Sequence, residues 1–150
     1  MKAEYINSIY QAAQDVFKIM LDVGTQKDDV ITHEVTDDGA NITIKLQGDL
    51  SGTILFSFPK ETALEMVKIM SGMEMDKLDS FIISALSEVV NIICGNAATN
   101  LQKYNKHVDI TPPEVLEDPA PKAADNCELL PLKTDIGAVK LNIKLDENDK

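Results

Sequence analysis

Two side chains in the middle of an apolar stretch, the carboxylate of Glu88 and the carboxamide of Asn91, are spaced to act together. On a helix turning about 100° per residue, with Ser84 as the reference, Glu88 falls at about +40° and Asn91 at about −20°. Gly95 at about +20°, Ala98 at about −40° and Ser87 at about −60° complete one narrow stripe. A carboxylate pairs with a cation and a carboxamide both donates and accepts hydrogen bonds, so one turn of helix could present both to a single partner site. From Phe81 to Gln102 no other side chain is charged, whereas a solvated surface helix normally carries Lys, Arg and several Glu. Ile82, Ala85, Val89, Val90, Ile93, Ala97 and Leu101 spread over the opposite side as a core face. Gly95 costs roughly 1 kcal/mol of helix propensity relative to Ala, a cost that suits a close contact surface. A plainer reading has Glu88 and Asn91 as ordinary solvated residues and Gly95 as relief of crowding against another helix; spacing alone leaves both open.

The elements that must hold this helix follow from periodicity. Apolar residues at threes and fours predict a first long helix from Ala3 to Leu21, with Gly24 as its stop. A weaker strand is expected over Asp29 to Val35, then a turn at Asp37-Asp38-Gly39. Strict alternation over Asn41 to Gln47, followed by Gly48-Asp49 and a further strand from Gly52 to Phe58, predicts a hairpin. Pro59 leads into a short helix from Lys60 to Met70, ended by Ser71-Gly72, with Met66, Met70, Met73 and Met75 expected to pack adaptably in the core. Asp76 is the expected N-cap of the next helix, with Asp79 in its first turn, and that helix should run to Tyr104. His107 to Ile110 reads as a short strand, Thr111 to Asn126 as a Pro-rich loop, and Cys127 to Thr134 with Gly137 to Leu145 as a second hairpin. Asp146 to Lys150 reads as a frayed polar tail. The expected fold class is therefore α+β: a mainly antiparallel sheet of about six strands, two long helices and one short one, ordered as two helix-plus-three-strand units without a sequence repeat.

Composition excludes several functions. The 150 residues are expected to form one domain, burying about two-thirds of its unfolded surface without disulfides or metal. A formal charge of −11, from 25 acidic and 14 basic residues, argues against a nucleic-acid partner, which needs clustered Lys and Arg. Cys94 and Cys127 have neither disulfide-framework nor metal-ligand spacing, and Cys94 reads as a small apolar filler. His33 and His107 have no neighbours at metal spacing, so no metal or cofactor is expected on this chain. The N-terminus lacks an apolar signal core, and polar residues interrupt the apolar helix, so a cytoplasmic protein with no membrane partner is expected. Asn96, at about 120° on the wheel, is expected to be a buried amide satisfying backbone groups.

The run Ser84-Ala85-Leu86-Ser87-Glu88-Val89-Val90-Asn91-Ile92-Ile93-Cys94-Gly95-Asn96-Ala97 resembles the signature helix of the CheC, CheX and FliY chemotaxis phosphatases, and the chain is most similar to the short CheX type. Asp109-Ile110-Thr111-Pro112-Pro113 and the final strand pair extend the resemblance over most of the chain. It implies a CheC-like fold with internal pseudo-symmetry and, because the first helix lacks the Glu-x-x-Asn pair, one active site. It further implies an enzyme that hydrolyses the aspartyl phosphate of a CheY-like receiver, with Mg²⁺ and a lysine supplied by the receiver. Glu88 and Asn91 would be the catalytic pair, Glu88 bonding the receiver lysine and Asn91 orienting the attacking water, while Ser84, Ser87 and Gly95 would form the contact surface. A homodimer is expected from free strand edges and the CheX likeness. The alternative implied by the same likeness is a non-catalytic, receiver-binding or flagellar-switch-like scaffold.

Overall fold

A computed structural model describes residues 2–28, 39–116 and 127–148. Helix α1 (Ala3–Leu21) is followed by strands β1 (Thr25–Lys27), β2 (Ala40–Gly48) and β3 (Leu50–Phe58), helices α2 (Lys60–Ser71) and α3 (Ser80–Leu101), and strands β4 (Val108–Ile110), β5 (Glu114–Leu116), β6 (Glu128–Thr134) and β7 (Gly137–Glu147). Among the described residues the sheet has seven strands, against an expectation of about six, in the order β1-β6-β7-β3-β2-β4, with β5 also pairing β2. Every pairing is antiparallel.

That order explains the two-unit pattern. The last strands of the two units, β3 and β7, pair at the centre with Ile54 opposite Ile143, and each hairpin partner lies outside them. The first strands cross over: β1 of the first unit pairs β6 of the second, and β4 and β5 of the second pair β2 of the first. Each half of the sheet is thus completed by the other unit.

One face of the sheet is the core. Ile42, Ile44 and Leu46 of β2, Ile54, Phe56 and Phe58 of β3, and Val139, Leu141 and Ile143 of β7 are buried at every second position, while the residues between them are half-buried or exposed. This is the period-two pattern of an antiparallel sheet covered on one side. The helices supply the covering layer, with Ile9, Ala13 and Phe17 of α1, Met66 of α2 and Ile82, Leu86 and Ile93 of α3 in the same cluster. Asn100 of α3 donates its side-chain amide to the Ser8 carbonyl of α1 at 3.1 Å, tying the two long helices together.

Several local expectations are corrected. Helix α1 stops at Asp22, not Gly24: Asp22 takes a left-handed conformation (φ 54°) and its N–H bonds back to the Lys18 carbonyl, which a short polar side chain tolerates. Gly24 instead donates its N–H to the Asp135 carboxylate at 2.7 Å. The cap of α3 is Asp79 rather than Asp76, its carboxylate accepting from the Ile82 N–H at 3.1 Å. Part of the Pro-rich segment is strand β5, paired to β2, and residues 117–126 lie outside the described residues, as does the strand expected over 29–35. Met66 is buried and Met70 and Met75 are half-buried, but Met73 is exposed and does no core packing. Residues 146 and 147 belong to β7, and Asn148 donates to the carbonyls of Asp49 and Gly48, so the described part of the expected tail is tied to the β2–β3 turn.

Candidate functional site

Helix α3 begins where Asp79 caps it and ends in a turn of 3-10 helix over Gln102–Tyr104, closed by left-handed Asn105. Its length and hydropathy suffice for a membrane span, but Ile82, Leu86, Val89, Val90, Ile93, Cys94, Ala97 and Leu101 are buried in the protein. The apolar character is that of a core helix, because the sheet consumes it. Burial pushes the Cys94 thiol up to about 12, so this cysteine is an inert filler.

On the outer side Phe81, Ser84, Glu88, Asn96 and Thr99 are exposed, and Ser87, Asn91, Gly95 and Ala98 are half-buried. The expected site residues are therefore brought together on one accessible face. The centre of that face sits at about +60° on the wheel, so Glu88 stands near its middle and Asn91 at its margin. Three positions apart, the two side chains leave the helix about 4.5 Å apart along its axis. Neither makes a side-chain hydrogen bond or an ion pair among the described residues, so a carboxylate and a carboxamide with open valences lie side by side.

The flanking small residues differ in what they offer. A Cβ built on Gly95 meets nothing within 4 Å. Among the described residues no packing requires glycine there, and crowding against a neighbouring helix is not its reason. Ser84 is exposed. Ser87 donates its hydroxyl to the Ile83 carbonyl at 2.8 Å, and Thr99 does the same to Gly95 at 3.2 Å, which leaves their oxygens as acceptors and keeps the face low.

Asn96 corrects the sequence reading, since it is exposed rather than buried. The buried-side amide is Asn100, at about 160° on the wheel, which serves the Ser8 carbonyl. The stripe of small and polar residues does not include Phe81, yet this ring is 45% exposed at about +60°, two turns before Glu88. Its wheel angle was the signal that could have found it. Among the described residues no three His, Cys, Asp or Glu side chains gather to hold a metal ion.

Comparison with known proteins places the helix in context. The model of the family "Chemotaxis phosphatase CheX" matches residues 40–130. The CheY-P phosphatase CheX of Thermotoga maritima is 37% identical over 112 residues, 74% of this chain and 71% of that protein. The crystal structure of the chemotaxis protein CheX from Vibrio vulnificus superposes with a TM-score of 0.82 at 20% identity, covering 96% of this chain and all of the other. A chain of the CheX–CheY–BeF₃–Mg²⁺ complex from Borrelia burgdorferi gives 0.74 at 26% identity, covering 95% of this chain and 98% of that one.

Proposed function

Since this chain belongs to the CheX family of chemotaxis phosphatases, we propose that it hydrolyses the aspartyl phosphate of a CheY-like receiver domain, with Asn91 orienting the attacking water and Glu88 pairing with the receiver's lysine. The observation that carries the reading is the pair itself: Glu88 and Asn91, adjacent on the exposed face of α3, are without internal partners, and no other charge stands on that helix.

In-line displacement at an acyl phosphate passes through a loose, charge-spread transition state that asks for a placed water and for charge stabilisation rather than a strong base. The carboxamide of Asn91 can hold a water through its oxygen or its NH₂ group. The water oxygen bonds to phosphorus as the aspartyl oxygen leaves with its electron pair, giving the free aspartate, inorganic phosphate and a proton. Glu88 fixes the register: a charge-assisted bond to an ammonium group one turn away sets the depth at which Asn91 enters. The Mg²⁺ that neutralises the phosphoryl oxygens belongs to the receiver, in keeping with the CheX–CheY complex that contains it. Ser84, Ser87 and Gly95 form the low ground on which the receiver sits.

The protein works in the cytoplasm, where phosphorylated receivers are, and as a homodimer, a proposal supported by the three-residue strand β4 at one end of the described sheet order. A receiver-binding scaffold would need neither a carboxamide nor a carboxylate at these positions. Asn91→Ala is the discriminating variant: it should bind a beryllofluoride-loaded receiver as the wild type does while dephosphorylation slows about 10²- to 10³-fold, by analogy with a lost oxyanion-hole donor. Retention of most of the activity would leave the scaffold as the better account.

A further inference from the structure

We infer that Phe81 is an apolar anchor for the receiver, fixing which receivers are accepted rather than taking part in the chemistry; the inference rests on the receiver reading above. Among the large apolar side chains of α3 only Phe81 stands substantially in solvent, 45% exposed, while its neighbours Ile82 and Leu86 are fully buried. It lies on the same face as Ser84 and Glu88, seven residues before Glu88 and ten before Asn91, about 10 Å and 15 Å along the helix axis. A ring at that distance cannot touch a phosphoryl group that Asn91 reaches. It can touch the surface beside the phosphorylation pocket of the same receiver.

The occupant follows from chemistry and continuity. Between Phe81 and Glu88 the face carries only Ser84 and half-buried Ile83, Ala85 and Ser87, without a charge to solvate, so a partner seated over Glu88 and Asn91 extends onto Phe81 unless it turns away. A protein with a formal charge of −11 gains little from long-range attraction to a pocket built around a phosphorylated carboxylate. Affinity must then come from short-range burial, and an aromatic side chain with two rotors supplies area at small entropic cost. The matching surface on the receiver is an uncharged, apolar patch next to its phosphorylation pocket.

The test is steady-state dephosphorylation of a Mg²⁺-loaded phosphorylated receiver by wild type, Phe81→Ala, Phe81→Leu and Asn91→Ala, with the affinity of each for the beryllofluoride-loaded receiver and its thermal midpoint. Phe81→Ala should raise KM and the dissociation constant about tenfold with kcat within twofold of wild type, Phe81→Leu should recover most of the loss, and neither midpoint should fall by more than about 2 °C. A fall in kcat at unchanged KM, or unchanged KM and affinity in Phe81→Ala, would overturn the anchor while an inactive Asn91→Ala left the phosphatase reading standing. Absence of dephosphorylation by the wild type would overturn both.

Discussion

Gly95 offers a perturbation in which stability and activity are expected to move in opposite directions. It lies inside a 22-residue helix, where glycine costs about 0.8–1 kcal/mol relative to alanine. Since an added Cβ meets nothing outside its own helix turn within 4 Å among the described residues, Gly95→Ala should recover that energy without strain. For a chain of this length, about 1 kcal/mol corresponds to a rise in the thermal midpoint of about 2–4 °C. If the receiver lies against this face, the same methyl intrudes on a packed contact at a cost of about 1–3 kcal/mol, so kcat/KM should fall about tenfold, and Gly95→Leu should fall further while remaining folded. The assays are calorimetry and phosphate release from a phosphorylated receiver. Two results would refute the reasoning: a lowered midpoint for Gly95→Ala, which would mean that the glycine is packed, or full activity in both variants, which would mean that this face is not the contact.

Other perturbations probe the scaffold. Gly52 sits at φ +155° with a Cβ position only 1.8 Å from the Lys144 carbonyl across the central β3–β7 pair; Gly52→Ala should cost about 3 kcal/mol or more in urea unfolding, and a near-neutral result would contradict the register. The Tyr5 hydroxyl donates to the Glu147 carboxylate at 2.6 Å. Burial, with that carboxylate, pushes the phenol up to about 12, and the Tyr5 bond holds the Glu147 carboxyl below its ordinary range. A depressed carboxyl stabilises the fold above its unfolded value and loses that effect as pH falls through the folded one, while a raised phenol loses its contribution only in strong alkali. Tyr5→Phe should therefore lower the urea midpoint at about pH 7 and lose most of that difference in acid, as the folded protein's Glu147 carboxylate takes up its proton; a pH-independent gap would exclude the link. Asp79→Ala removes the side-chain acceptor at the start of the site helix and should cost about 1 kcal/mol with activity kept under conditions where the variant is folded.

The long periodic elements were legible in the residues: α1 has the expected bounds, and β2 with β3 forms the expected hairpin. Their patterns are set by the side of the chain that meets the core, which is local information. Strands β1 and β5 were not legible, because three residues carry no period and each exists only through a distant partner, Thr134 for Thr25 and Ile42 for Val115. The same holds for the crossing of first strands between the two units. Asp76 and Asp79 both stand at plausible cap spacing, and only the bond to the Ile82 N–H separates them. On the site helix the stripe of Ser84, Glu88, Asn91 and Gly95 was visible from angle alone, but the centre of its exposed face depends on how α3 settles against the sheet. That rotation put Asn96 in solvent, left Asn100 to bond Ser8, and brought Phe81 onto the site face.

The most direct test of the central claim is phosphate release from a Mg²⁺-loaded, phosphorylated CheY-like receiver, followed with wild type, Glu88→Ala and Asn91→Ala at equal concentration. The account predicts acceleration by the wild type, its loss in both variants, and weakened receiver binding in Glu88→Ala alone. Acceleration that survives in Asn91→Ala would contradict it.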